Sequence, residues 1–153
     1  LLTLVVYLIT IPISGQDPYN DRDFLLIFNL MLLGVMAIIV FSISESSEDK
    51  KQKFNEMILL LLTVITLLID LIALSAIFYR LSEYGITPNR LAVLGSNLLI
   101  FGNLILIMVD LIKVNFRKLN IVKVELTIAR YIPVYIVWIL IVVFTFPILF
   151  NMK

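Results

Sequence analysis

Residues 57–114 read MILLLLTVITLLIDLIALSAIFYRLSEYGITPNRLAVLGSNLLIFGNLILIMVDLIKV, and this stretch decides the fold. Two long apolar runs flank a short polar hairpin, YRLSEYGITPNRL at 79–91. About twenty apolar residues, rising 1.5 Å each as a helix, cross a hydrocarbon core about 30 Å thick. Each run therefore predicts a transmembrane helix. Gly85 stands where a helix would end in the left-handed conformation that glycine adopts without strain. Thr87 then Pro88 reads as an N-cap followed by proline at the first helical position, where its missing N–H costs nothing. One helix ends near Tyr84, the next begins at Pro88, and the two form a tight antiparallel pair.

The same pattern extends outward. Of the 153 residues 61% are hydrophobic and 15% charged, whereas soluble domains are about 45–50% apolar and about 25% charged. The expected fold is all-α, a polytopic transmembrane helix bundle in a single domain over 1–153. It has about five membrane segments, near 1–14, 24–42, 57–84, 88–114 and 131–150. Residues 1–14 are too few for a full span and carry no basic start, so they read as the end of a helix that begins upstream. The chain is then the C-terminal part of a longer one. Gly, Pro, Asn and Asp in GQDPYNDRD (15–23) supply turn chemistry, and SESSEDKKQKFNE (44–56) is a solvated loop. In the basic stretch before the last span, Val122, Val124, Leu126 and Ile128 alternate with other residues in a strand-like period. An interfacial helical turn fits that stretch nearly as well.

Eight lysines and arginines fall at 50–53 and 113–130, against four at Arg22, Arg80, Arg90 and Lys153. The excess places loops 43–56 and 113–130 in the cytoplasm, with the hairpin 81–90 and the C-terminus outward.

Within the hairpin, Arg80, Tyr84 and Arg90 are not required by the turn. Two accounts remain open. Tyrosine and snorkelling arginines anchor the interface, or the arginines at a helix N-terminus hold an anion or lipid headgroup. The pattern R-x-x-x-Y-G-[LI]-T-x-x-R, here Arg80, Tyr84, Gly85, Ile86, Thr87 and Arg90, resembles the signature of a bacterial family of multi-pass membrane proteins catalogued as a domain of unknown function. The similarity in layout covers about 55–150. It implies a bacterial inner (cytoplasmic) membrane location and assigns no catalytic residue.

Asp70 lies near the middle of its span, where a charged residue costs about 2.5–3.5 kcal/mol on insertion scales. Thr66 is one turn before it and Thr63 two turns. The next span carries Ser96, Asn103 and Asp110 at intervals of seven, with Gly95 and Gly102 beside them to admit a neighbouring helix. Counted from the hairpin, Asp70 and Asn103 share a depth. The expectation is that the two helices turn these stripes toward each other or toward a shared interior, with a protonated Asp70 hydrogen-bonded to Asn103. The cluster Thr63, Thr66, Asp70, Ser96 and Asn103 then either holds helices together or handles a proton or cation. Asp110 reads as half of a local ion pair with Lys113 near the membrane surface.

Cysteine and histidine are both absent, which excludes disulfides, thiol chemistry and the usual neutral-pH proton shuttle. No P-loop, G-x-G-x-x-G, G-x-S-x-G or H-E-x-x-H occurs in the sequence. Asp70 and Asp110 differ in depth by roughly 10 Å at 1.5 Å per residue, too far for an aspartyl dyad. The expectation is no enzyme, no metal, no cofactor and no nucleic acid. Its partners are membrane lipids and either the upstream chain or other membrane subunits. The leading function is a non-enzymatic structural or accessory module. The alternative is a proton- or ion-coupled transport module using Asp70, with Arg80 and Arg90 on an anionic substrate or lipid.

Overall fold

The computed structural model describes residues 22–44 and 52–151, together with Val6. Among these residues every regular element is helical. Helix α1 spans Arg22–Ser44, α2 Gln52–Tyr84, α3 Pro88–Arg117 and α4 Val122–Leu140. A π-helical turn, Ile141–Thr145, then leads into α5, Phe146–Leu149. Three stretches are long and apolar enough to cross a membrane: Phe54–Tyr84, Pro88–Arg117 and Val122–Leu149. Helix α1 carries a shorter apolar stretch, Asn29–Ile43. Of the five expected segments, the described residues contain three spans and one shorter apolar helix. The segment expected at 1–14 (Val6 apart), residues 15–21 of the turn before α1 and residues 45–51 of the expected 43–56 loop lie outside the described residues; the end of that loop, 52–56, is instead the first turn of α2, where Glu56 is buried.

The hairpin holds one correction. Gly85 has φ +77°, the left-handed conformation that ends α2. Thr87 is extended at φ −128°, ψ 153°, and its hydroxyl accepts from the Arg90 backbone N–H at 3.3 Å. Arg90 also belongs to the turn. Its Nη1 donates to the carbonyls of Tyr84 and Gly85 at 2.7 and 2.8 Å, and its guanidinium lies 5.5 Å from the centre of the Tyr84 ring. A helix leaves its last carbonyls without partners, and a cation at that end also meets the negative pole of the helix dipole. Arg90 supplies both from the first turn of the following helix.

The α3–α4 connection is shorter than a loop. Lys118 closes α3 in the left-handed conformation at φ 54°, and the Asn120 side chain accepts from the Val122 N–H at 3.0 Å. Residues 122–128 are helical, so the strand reading fails. Ile121, Val124 and Ile128 follow the three-and-four spacing of a helix face. Ile121 and Val124 are buried, and Ile128 packs against the same core. The alternating apolar residues Val122 and Leu126 are exposed.

The core is built from one stripe of each helix. Leu32, Val35, Ile39 and Ile43 come from α1, and Leu59, Leu62, Ile69 and Ala73 from α2. Ile100, Leu104, Ile107, Leu111 and Val114 of α3 keep the strict alternation of four and three residues that a helix seam requires. Helices α2 and α3 make the broadest pairing, α4 lies along α3, and α1 packs on both α2 and α4. Of the apolar windows, 44% of the α2 span, 33% of the α3 span and 6% of the last span are buried. Among the described residues the last helix therefore sits on the edge of the bundle, with most of its circumference uncovered by the other described helices.

Candidate functional site

Where α4 meets α3, glycines set the distance. A methyl group on Gly95 would overlap the indole ring of Trp138, and one on Gly102 would lie 2.9 Å from the Tyr131 hydroxyl. Small residues let helix backbones approach in this way, and the approach brings polar side chains within reach of each other. Trp138 Nε1 donates to Ser96 Oγ at 3.1 Å. One heptad further along α3, Asn103 Nδ2 donates to the Tyr135 hydroxyl at 3.0 Å. Another heptad on, the Thr127 hydroxyl donates to Asp110 Oδ2 at 2.6 Å. The stripe Ser96, Asn103 and Asp110 therefore makes its interhelical hydrogen bonds with α4. Pairing α2 with α3 explains their common depth but not the orientation of their polar faces.

Asp110 is a meeting point of two helices. Its Oδ1 lies 3.2 Å from Lys113 Nζ and 3.8 Å from Lys123 Nζ. The ion pair with Lys113 is local, and the contacts to Lys123 and Thr127 come from across the α3–α4 seam. On the other side of α3, Asn97 Nδ2 donates to Asn29 Oδ1 of α1 at 2.9 Å.

Asp70 is different. It is fully buried on α2, and neither of its oxygens has a hydrogen-bond partner among the described residues. Thr63 and Thr66, both buried, donate to the carbonyls of Leu59 and Leu62 of their own helix at 2.8 and 2.7 Å. Asn103 gives its N–H to Tyr135, and its Oδ1 is a third buried oxygen with no partner. The expected hydrogen bond between Asp70 and Asn103 is not made. The two oxygens of Asp70 on α2 and the one of Asn103 on α3 are the buried side-chain polar atoms of the described residues that no hydrogen bond reaches. A proton on Asp70 would turn one of these three acceptor oxygens into a donor. Such oxygens can hold a proton or a small cation; they include no pair of carboxylates and no nucleophile with a base.

The hairpin candidates lie at the opposite end of α2 from its start. Arg80 stands one turn before Tyr84, while Arg90 binds the turn as described. Sequence reasoning missed Thr127, Tyr135 and Trp138. A signal was present: Tyr131, Tyr135 and Trp138 recur at four and three residues on an otherwise apolar helix, and buried tyrosine and tryptophan usually bring their polar atoms to a partner.

The model of the family described as "Domain of unknown function (DUF4153)" matches residues 1–149. The chain belongs to that family. No curated protein and no solved structure matches it. For this DUF4153 chain the side chains themselves carry the functional argument.

Proposed function

We propose that this chain is a non-enzymatic membrane module, structural or accessory, which packs against the rest of its own chain or against other membrane subunits. Its setting is the bacterial inner membrane, with 113–130 toward the cytoplasm and the hairpin outward. One observation supports this reading above the others. The inward polar groups of α3 other than the Asn103 oxygen are committed to neighbouring helices: Ser96 to Trp138, Asn97 to Asn29, Asn103 to Tyr135 and Asp110 to Thr127. Interhelical hydrogen bonds of this kind average about 0.6 kcal/mol each in a membrane. Four of them specify how the helices pack and leave little free to act on a substrate. The uncovered last helix is the surface that an upstream segment or another subunit would meet.

The test is purification of the intact protein from its native membrane in gentle detergent, followed by mass spectrometry of whole chains. A stoichiometric partner supports the accessory reading. A solitary chain whose own upstream part does not contact α4 overturns the module. A reporter fused after Lys53 checks the orientation; a signal from outside the cytoplasm reverses it.

A second reading, a proton- or ion-coupled transport module, rests on Asp70 alone. An ionisable residue in the middle of a span marks a functional site by default, and Asp70 has no hydrogen-bond partner among the described residues. Asp70→Asn separates the two readings. A variant that folds and keeps its phenotype removes the transport reading, while one that folds and loses its phenotype makes Asp70 functional. Anion or lipid contact at Arg80, Tyr84 and Arg90 draws less support, because one nitrogen of Arg90 already serves two carbonyls.

A further inference from the structure

We propose that the groove between the end of α3 and the start of α4 binds the phosphate headgroup of an anionic glycerophospholipid. Each helix offers three residues spaced by four and three: Leu106, Asp110 and Lys113 on α3, and Lys123, Thr127 and Arg130 on α4. The bond from Thr127 to Asp110 and the approach of Lys123 to the same carboxylate fix the antiparallel register. Lys113 is then level with Lys123, and Arg130 with Leu106. Between the two rows is an open groove of about 420 Å³, with Val109 and Tyr131 completing its walls.

The charges in this groove do not cancel. Asp110 faces three cations. Its Oδ1 is taken by Lys113 and Lys123 and its Oδ2 by Thr127. Arg130 is exposed and has no acid partner among the described residues. It sits about 4.5 Å further into the membrane than Thr127, at 1.5 Å per residue, beside the apolar wall. A guanidinium bordering hydrocarbon is costly unless an anion meets it. The anion that a bilayer offers at this level is a lipid phosphate. Its oxygens match the planar donor fork of arginine, and the two lysines add point charges.

Asp110 has a positioning role here. It holds ammonium groups from two different helices on one side of the groove, where free lysines would snorkel apart. Basic pockets between transmembrane helices bind anionic headgroups by this combination. Leu106, Val109 and Tyr131 lead from the cations toward the bilayer interior and would take the start of an acyl chain. That apolar wall is the reason to favour a lipid over free phosphate, which would satisfy the cations alone.

The intact protein in nanodiscs of phosphatidylcholine doped with phosphatidylglycerol tests this, with retained lipids counted by native mass spectrometry. The wild type is expected to retain phosphatidylglycerol in preference to phosphatidylcholine. Arg130→Gln is expected to weaken that retention about fivefold, the worth of one basic residue at an anionic surface, and Arg130→Lys by less. Helicity and melting temperature are expected to stay unchanged, because Arg130 is exposed and unpaired. Should Arg130→Gln fail to fold, the salt dependence of retention in the wild type decides: loss of phosphatidylglycerol as sodium chloride rises supports the site, and no loss overturns it. Equal retention of the two lipids, or retention unaffected by Arg130→Gln, overturns the proposal. Displacement of the lipid by millimolar inorganic phosphate without any preference between lipids would assign the groove to free phosphate and overturn the lipid as its ligand.

Discussion

At Gly95, hydrogen is the only side chain that leaves room for the Trp138 ring. Leucine there forces α4 away from α3 and separates Trp138 from Ser96, so Gly95→Leu is expected to cost about 1–3 kcal/mol, the usual range for overpacking. Thermal unfolding in detergent measures it. Asn103 and Tyr135 make a smaller contribution. Removing their bond with Tyr135→Phe or Asn103→Leu is expected to reveal a coupling of about 0.6 kcal/mol, and no more than about 1.7 kcal/mol, in a double-mutant cycle. Asp70 has the opposite sign. A buried polar group without a partner destabilises the fold by about 1–3 kcal/mol, so Asp70→Leu is expected to raise the melting temperature. A lower melting temperature would mean that Asp70 holds helices together after all. A higher one accompanied by loss of phenotype would mark the acid as kept for function against stability.

Each helix is legible in the sequence to a different degree. For α2 and α3 the length, the apolar content and the chemistry of Gly85, Thr87 and Pro88 agree, so helix and turn follow from local rules alone. The start of α4 is not legible in that way. Val122, Val124, Leu126 and Ile128 satisfy a period of two as well as a helix does, and only burial of Ile121 and Val124 against the other helices separates the readings. The polar stripe on α3 is visible as a heptad, but a single helix does not say which neighbour its stripe will face. That choice lies with Tyr131, Tyr135 and Trp138 on another element. Arg90 was hidden for a similar reason, because its partners are carbonyls six and five residues back. The π-helical turn at Ile141–Thr145 has a local cause that is readable afterwards. Pro147 has no N–H for the carbonyl four residues earlier, and the widened turn accommodates it. Pro147→Ala is expected to let regular α-helix continue, rotating Phe146 away from its edge-to-face contact with Trp138, now 5.9 Å between ring centres. Trp138 is the one tryptophan in this sequence, so a shift in its fluorescence reports the change, and an unmoved spectrum would place the origin of the turn in tertiary packing.

For the molecule as a whole, the open question is what covers the last span, of which only 6% is buried by the other described helices. Ile132, Ile136, Ile139 and Val143 are all exposed and recur at four, three and four residues, which makes one continuous apolar face. Lipid and protein impose different demands on such a face. Against lipid, which refills the space, shortening Ile136 and Ile139 to alanine removes no specific contact. Against a packed helix the same change opens cavities, and burying leucine-sized groups poorly costs about 2–5 kcal/mol per residue. The double variant Ile136→Ala, Ile139→Ala is therefore expected to leave the melting of the bundle unchanged while weakening its capture of the upstream segment or partner subunit. Co-purification from native membrane in gentle detergent, with the wild type run alongside, measures that capture. Unchanged capture would mean that this face meets lipid and that docking, if any, uses α1. A fall in melting temperature without loss of capture would mean that the face packs inside the same chain. Both outcomes bear on the proposed function, because a module must dock somewhere, and this helix is the least covered of the three spans among the described residues.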